Sequence, residues 1–260
     1  MNTKRFENKV VVVTGATKGI GLGIALAFAR EGAHVVGLGS SSPADVTAQM
    51  SALGAKFTAL TEDFSRLTQK SAAELIARIV KDCGAVDVLV NNAGIIRRAP
   101  IVDHSEADWQ AVLQINLSAP FFLSQAVGQW WLTAGRAQAA ADARCKVINI
   151  ASLLSFQGGI LVPGYTASKS GLAGLTKAFA NELAKERMNF NAIAPGYIAT
   201  DNTQALRADA ARNHAILARI PETRWGEAAD IAGTALFLAS KDADYLNGAI
   251  VNVDGGWLGR

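Results

Sequence analysis

Cysteine, histidine and long apolar runs are what this 260-residue chain has little of, and each scarcity argues against a class of function. Cys83 and Cys145 have neither metal-ligand spacing nor a disulfide framework, so buried, inert thiols in a reducing compartment are expected. His34, His104 and His214 are scattered, with no second ligand at a useful offset, which argues against a catalytic metal. Half the residues are hydrophobic, yet no run approaches the roughly 20 apolar residues of a membrane helix. The opening Met1-Asn-Thr-Lys-Arg-Phe-Glu7 lacks the apolar stretch of a signal peptide, so a cytoplasmic protein is expected. A formal charge of +3 without a dense Lys/Arg block argues against nucleic acid as a partner. Repeats and low-complexity linkers are missing too, so one domain spanning residues 1–260 is expected, near the upper limit of a single core.

What is present is alternation. Lys9 to Thr14 is a continuous apolar run suited to a strand buried on both faces of a parallel sheet. Gly15-Ala-Thr-Lys-Gly19-Ile-Gly21 follows at once, and Ile20, Ile24 and Phe28 then recur at helical spacing. This order of strand, glycine loop and helix suits a dinucleotide, because backbone can approach a pyrophosphate and the helix N-terminus offers free N–H groups. Further strand-like runs are His34–Leu38, Lys56–Leu60, Val86–Val90, Lys146–Ile150, Phe190–Ala194 and Ala249–Val253, making seven. Helical patterns lie between them at Ser65–Lys81, Ser105–Leu132, Tyr165–Glu186 and Glu227–Ala239. An α/β doubly wound, seven-stranded parallel sheet with helices on both faces is expected, with ligands beyond the C-terminal strand ends. Two segments break the pattern: alanine-rich Thr133–Arg144, read as an exposed helix extension or loop, and Pro195–Pro221, read as a substrate lid.

Tyr165 and Lys169 stand four apart, 13 residues after Ser152. On a helix they share a face, and an ammonium beside a phenol favours the phenolate, lowers the tyrosine pKa and eases proton exchange with an alcohol or ketone.

Thr14-Gly-x-x-x-Gly-x-Gly21, Asn91-Asn-Ala-Gly94, Asn116, Ser152, Tyr165-x-x-x-Lys169, Pro195-Gly196 and Asp254-Gly-Gly256 together resemble the short-chain dehydrogenase/reductase family along essentially the whole chain. The resemblance implies a Rossmann fold and a homotetramer. It implies Tyr165 as general acid/base, Lys169 as its pKa-lowering partner and ribose ligand, Ser152 as orienter of the substrate oxygen, and Asn116 as part of a proton relay through water. Ser155 is a rival serine, but Ser152 has the family's usual offset from the tyrosine. Contacts to a nicotinamide dinucleotide are implied at Gly15, Thr17, Lys18, Gly19, Ile20, Gly21, Ser40, Ser41, Ser42, Asp63, Phe64, Asn91, Ala93, Gly94, Tyr165, Lys169, Pro195, Gly196, Ile198 and Thr200.

Within that family, Asn92-Ala-Gly-Ile-Ile-Arg97-Arg98, Ile150 to Gly159 and Ile193 to Asp209 resemble the bacterial 2-dehydro-3-deoxy-D-gluconate 5-dehydrogenase group, which interconverts a 2,5-diketo-3-deoxy acid and 2-keto-3-deoxygluconate. A sugar acid offers a carboxylate to a guanidinium fork and hydroxyls to amides. The expected substrate contacts are therefore Arg97 or Arg98, Ser152, Gln157, Tyr165, Asn202, Gln204 and Arg207. The second strand ends in Gly37-Leu-Gly39-Ser-Ser-Ser42 without an acid, and Lys18 can meet a 2′-phosphate, so NADP is favoured, with NAD the alternative. A reductase of another ketone or acyl thioester uses the same catalytic set. A binding protein that kept only the fold would need that set broken, and Ser152, Tyr165 and Lys169 are intact.

Overall fold

The computed structural model describes residues 4–259. The first three residues of the stretch read for a signal peptide, and Arg260, lie outside the described residues. Valine-rich β1, Val10–Thr14, is buried along its length and runs parallel to β2, His34–Gly39, and to β4, Val88–Asn91. β3, Phe57–Thr61, β5, Cys145–Ile150, β6, Met188–Pro195, and β7, Ile250–Val253, complete one seven-stranded parallel sheet in the order β3-β2-β1-β4-β5-β6-β7. The order reverses between β1 and β4, which opens a crevice at their C-terminal ends, as a doubly wound sheet requires.

Helices cover both faces. On one, α1, Gly19–Arg30, and α2, Ala44–Ala52, bury Ile24, Phe28, Val46 and Met50 against the sheet with Ile231 and Ala235 of α10, Ala228–Ala239. On the other, α3, Gln69–Cys83, packs Leu75, Ile76 and Ile79 beside Leu123 and Val127 of α5, Ala119–Trp130. Each fully buried large apolar side chain contributes about 1.5–3 kcal/mol. α3 begins four residues later than the sequence reading has it, because Asp63 first makes a tight turn onto Ser65 and Thr68 then caps the helix through reciprocal bonds with Ser71.

The single helix expected over Ser105–Leu132 is interrupted. α4, Glu106–Leu113, passes into α5 through a π turn at Gln114–Ser118, whose extra residue turns Asn116 completely inward. The Thr133–Arg144 segment is a helix extension: a second π turn at Trp131–Gly135 leads into α6, Arg136–Gln138. Arg187 holds it by donating to the carbonyls of Arg136, Ala140 and Ala141. α7, Pro163–Leu183, then carries Tyr165 and Lys169 on its first turns. Pro195–Pro221 holds two short helices, α8, Gln204–Ala208, and α9, Ala210–Arg219, before α10, Ala228–Ala239, returns to the sheet. No helix among the described residues is long and apolar enough to cross a membrane.

Candidate active site

The C-terminal ends of β1, β4 and β5 open into a cleft of about 450 Å³. One wall is the glycine loop. Gly15 and Gly19 hold left-handed φ values of +66° and +54°, where a side chain would be strained. A Cβ on Gly21 would lie 2.1 Å from the Gly15 carbonyl oxygen, so this glycine serves close packing beneath the loop. α1 starts at Gly19 with no side-chain cap and no acid in its first turn. Its N-terminal N–H groups and partial positive charge therefore face the cleft uncompensated, the arrangement a phosphate fits.

The loop is stapled to β4 by two residues. Thr14 Oγ1 accepts from the Asn92 and Ala93 N–H groups, each at 2.9 Å, and Asn92 Nδ2 donates to the carbonyls of Thr14 at 2.9 Å and Gly15 at 3.3 Å. Asn92 is absent from the sequence-derived contacts, and Asn91 stands there instead. Asn91 is a strand residue whose side chain turns into the sheet, donating to Ser124 Oγ at 3.1 Å and Asn149 Oδ1 at 2.9 Å. Strand alternation at the end of β4 is the signal that separates the two.

Most of the expected dinucleotide contacts line the cleft: Gly15, Thr17, Lys18, Gly19, Ile20, Ser40, Ser41, Asp63, Phe64, Ala93, Gly94, Tyr165, Lys169 and Thr200. Others are placed differently. Ser42 Oγ accepts from Ala44 N–H at the start of α2. Pro195 ends β6, and Gly196 packs where a Cβ would lie 2.6 Å from Asp254 Cα. Ile198 is buried in a bridge to Gly226. Lys18 Nζ lies 3.6 Å from Asp201 in an exposed pair, a weak tie that leaves the ammonium free to move.

The catalytic candidates converge at the floor. Ser152 stands beside the Tyr165 phenol and favours its ionised form, and its Oγ accepts from Leu154 N–H at 3.2 Å. Ser155 instead donates to the Lys169 carbonyl at 2.7 Å, away from the phenol. Lys169 Nζ donates to the Ile150 carbonyl at 2.6 Å and stands 5.6 Å from the centre of the Tyr165 ring. Burial lowers its pKa to about 8. Burial pushes Tyr165 above the usual tyrosine value, while the Ser152 hydrogen bond and the positive charge of Arg98 pull it back.

The Asn116 side chain is bonded to the loop after β4 and to the catalytic helix. Its Oδ1 accepts from Ile95 N–H, its Nδ2 donates to the Ile95 carbonyl, both at 2.9 Å, and to Ser168 Oγ at 3.2 Å. Ser168 in turn donates to the Tyr165 carbonyl at 2.8 Å, so Asn116 ties the loop after β4 to the catalytic helix.

Arg97 and Asn202 line the cleft, but Arg97 is already paired with Asp108 at 3.2 Å. Gln157 accepts a hydrogen bond from Trp257, and Arg207 donates to the Thr200 carbonyl at 3.2 Å. Gln204 is exposed at the start of α8. Among the described residues no cluster of three or more His, Cys, Asp or Glu could hold a metal.

Proteins of known sequence and structure resemble this chain along its length. The short chain dehydrogenase family profile matches residues 9–211. A 2-dehydro-3-deoxy-D-gluconate 5-dehydrogenase of Bacillus subtilis is 51% identical over 98% of this chain and 96% of its own. One of Escherichia coli is 49% identical over 98% and 97% respectively. The crystal structure of a provisionally assigned 2-deoxy-D-gluconate 3-dehydrogenase of Agrobacterium tumefaciens, with NADP bound, covers both chains completely at 49% identity and a TM-score of 0.89. With the glycine loop at the head of α1, the serine, tyrosine and lysine on one cleft floor, and a profile match across most of its length, the chain belongs to the short-chain dehydrogenase family.

Proposed function

We propose that the protein is an NADP-preferring dehydrogenase that interconverts 2,5-diketo-3-deoxygluconate and 2-keto-3-deoxy-D-gluconate. The observation that carries the reading is the meeting of Tyr165 and Lys169 in one cleft with an uncompensated helix N-terminus, with Arg97 and Asn202 also lining that cleft. Relatives about half identical over nearly their full length carry that activity in their names. NADP, when bound, supplies or accepts the hydride at the reacting carbon. Tyr165 donates its hydroxyl proton to the ketone oxygen during reduction and takes it back during oxidation, and Ser152 holds that oxygen.

The phosphate-binding side suits NADP. Ser40 and Ser41 line the cleft where an acid would oppose a 2′-phosphate, and Lys18 lies across from them. The segment 195–221 acts as the lid within one domain of residues 1–260, and Asn202 brings its edge to the cleft. Binding of nucleic acid is no part of this reading, and the site of action is the cytoplasm.

Arg97 lines the cleft but is tied to Asp108 in an exposed pair, while the charge of Arg98 reaches the Tyr165 phenol, so Arg98 is taken for the substrate carboxylate. Arg98→Ala should raise KM for the keto acid about tenfold, the lower end for a charge-assisted contact. The sign of its effect on pH dependence follows from the same charge. Arg98 lowers the phenol pKa, so its removal raises it, and the alkaline rise of the oxidation rate should move to higher pH. Arg97→Ala should leave both readouts near wild type. Equal KM values for both variants and wild type would place carboxylate recognition elsewhere.

A homotetramer is proposed on exposed apolar surface of two kinds. Ile101, Val102, Ile160 and Leu161 are exposed beside α4 and α7, and Phe237 and Tyr245 are exposed near β7. Light scattering at micromolar concentration should return a four-chain mass, and a monomer would contradict it.

A further inference from the structure

The turn Trp257–Gly259 packs between the segment that follows Ser152 and residues 195–221. Trp257 is 4% exposed and packs with Leu153, which directly follows Ser152, and with Ile216 and Ile220 at the foot of α9. Tyr197 lies against the indole at 4.7 Å between ring centres, and the Arg219 guanidinium stands 4.0 Å over it. Asp254 preorganises the turn by accepting from the Gly256 and Leu258 N–H groups, each at 2.9 Å.

The indole N–H lies 3.3 Å from the Gln157 side-chain oxygen. That assignment is forced by chemistry, because an indole nitrogen only donates and the amide oxygen must therefore face it. With its oxygen engaged, Gln157 retains two N–H donors for a ligand. A glutamine free to flip would present either an acceptor or a donor. One held by Trp257 presents donors, which suits the carboxylate, carbonyl and hydroxyl oxygens of a keto acid.

We propose that Trp257 is a positioning residue that fixes Gln157 as a donor-only recogniser of substrate oxygens and anchors the foot of the lid. The identity of the substrate rests on the sugar-acid reading above. Trp257 thereby joins the specificity machinery, although it lies about a hundred residues from the loop it orients.

A double-mutant cycle tests it, run on whichever ketone the wild type reduces, so that failure of the sugar-acid reading appears in the wild type alone. Trp257→Phe keeps the aromatic platform and loses the N–H. It should raise KM about two- to tenfold, with kcat and the nucleotide Kd within twofold of wild type. In a Gln157→Ala background the same change should alter KM by less than twofold, because its partner is gone. Gln157→Glu keeps an oxygen for the indole but offers oxygen in place of N–H, and should raise KM more than tenfold. The lid arm needs no substrate. Trp257→Ala should speed tryptic cleavage after the exposed Arg207 and Arg212 several-fold in the nucleotide complex. An unchanged KM in Trp257→Phe, an equal rise with and without Gln157, or an unchanged cleavage rate in Trp257→Ala would each overturn the proposal.

Discussion

Tyr165→Phe should reduce kcat by about 100- to 10,000-fold, the range for loss of general acid/base catalysis, while nucleotide affinity and melting temperature stay close to wild type. The separation follows from the geometry. Only the phenolic oxygen is removed, and the helix that carries it is held by Ser168, Thr176 and Lys169, none of which bonds to that oxygen. The Ser152 Oγ keeps its bond from Leu154 N–H. Retention of more than a tenth of the wild-type rate would remove Tyr165 from the role of acid. Because burial holds the phenol above its usual pKa, it is protonated at neutral pH, so ketone reduction should be flat across the neutral range. Alcohol oxidation needs the phenolate and should rise with pH over the alkaline range.

Exchanging the charges around Ser40 and Ser41 should reverse coenzyme preference. Lys18→Ala removes a cation from the cleft, and Gly39→Asp places a carboxylate at the end of β2 where it meets a ribose 2′-hydroxyl and repels a 2′-phosphate. The site accepts the substitution, since a Cβ on Gly39 finds nothing closer than Thr17 at 3.9 Å. The loss of one charge-assisted contact corresponds to about ten- to a hundred-fold in NADPH affinity. Stronger binding of NADH than NADPH by the wild type would overturn the preference before any variant is made.

The parallel sheet was legible because its strands carry their burial in composition. The valine run of β1 and the alternation of short apolar runs with helical patterns place all seven strands to within two residues of those seen. The catalytic floor was legible for a different reason: Tyr165 and Lys169 lie on one helix, so their proximity is local. What stayed hidden depends on distant contacts. The π turn that sends Asn116 inward goes with its bonds to Ile95 in the loop after β4, a distant partner. Asn92 and Asn91 are adjacent and chemically identical, and only strand direction shows which one staples the glycine loop. The capture of Lys169 by the Ile150 carbonyl, and the pairing of Arg97 with Asp108, need three-dimensional neighbours that no spacing reveals.

The most direct measurement is kcat/KM for purified enzyme with 2-keto-3-deoxy-D-gluconate and NADP⁺, set against the same acid with NAD⁺ and against a 3-oxoacyl thioester with NADPH. The keto-deoxy acid with NADP⁺ should give the highest value of the three, and Tyr165→Phe should abolish it. Faster turnover of the acyl thioester, with the keto-deoxy acid inert under either coenzyme, would contradict the account.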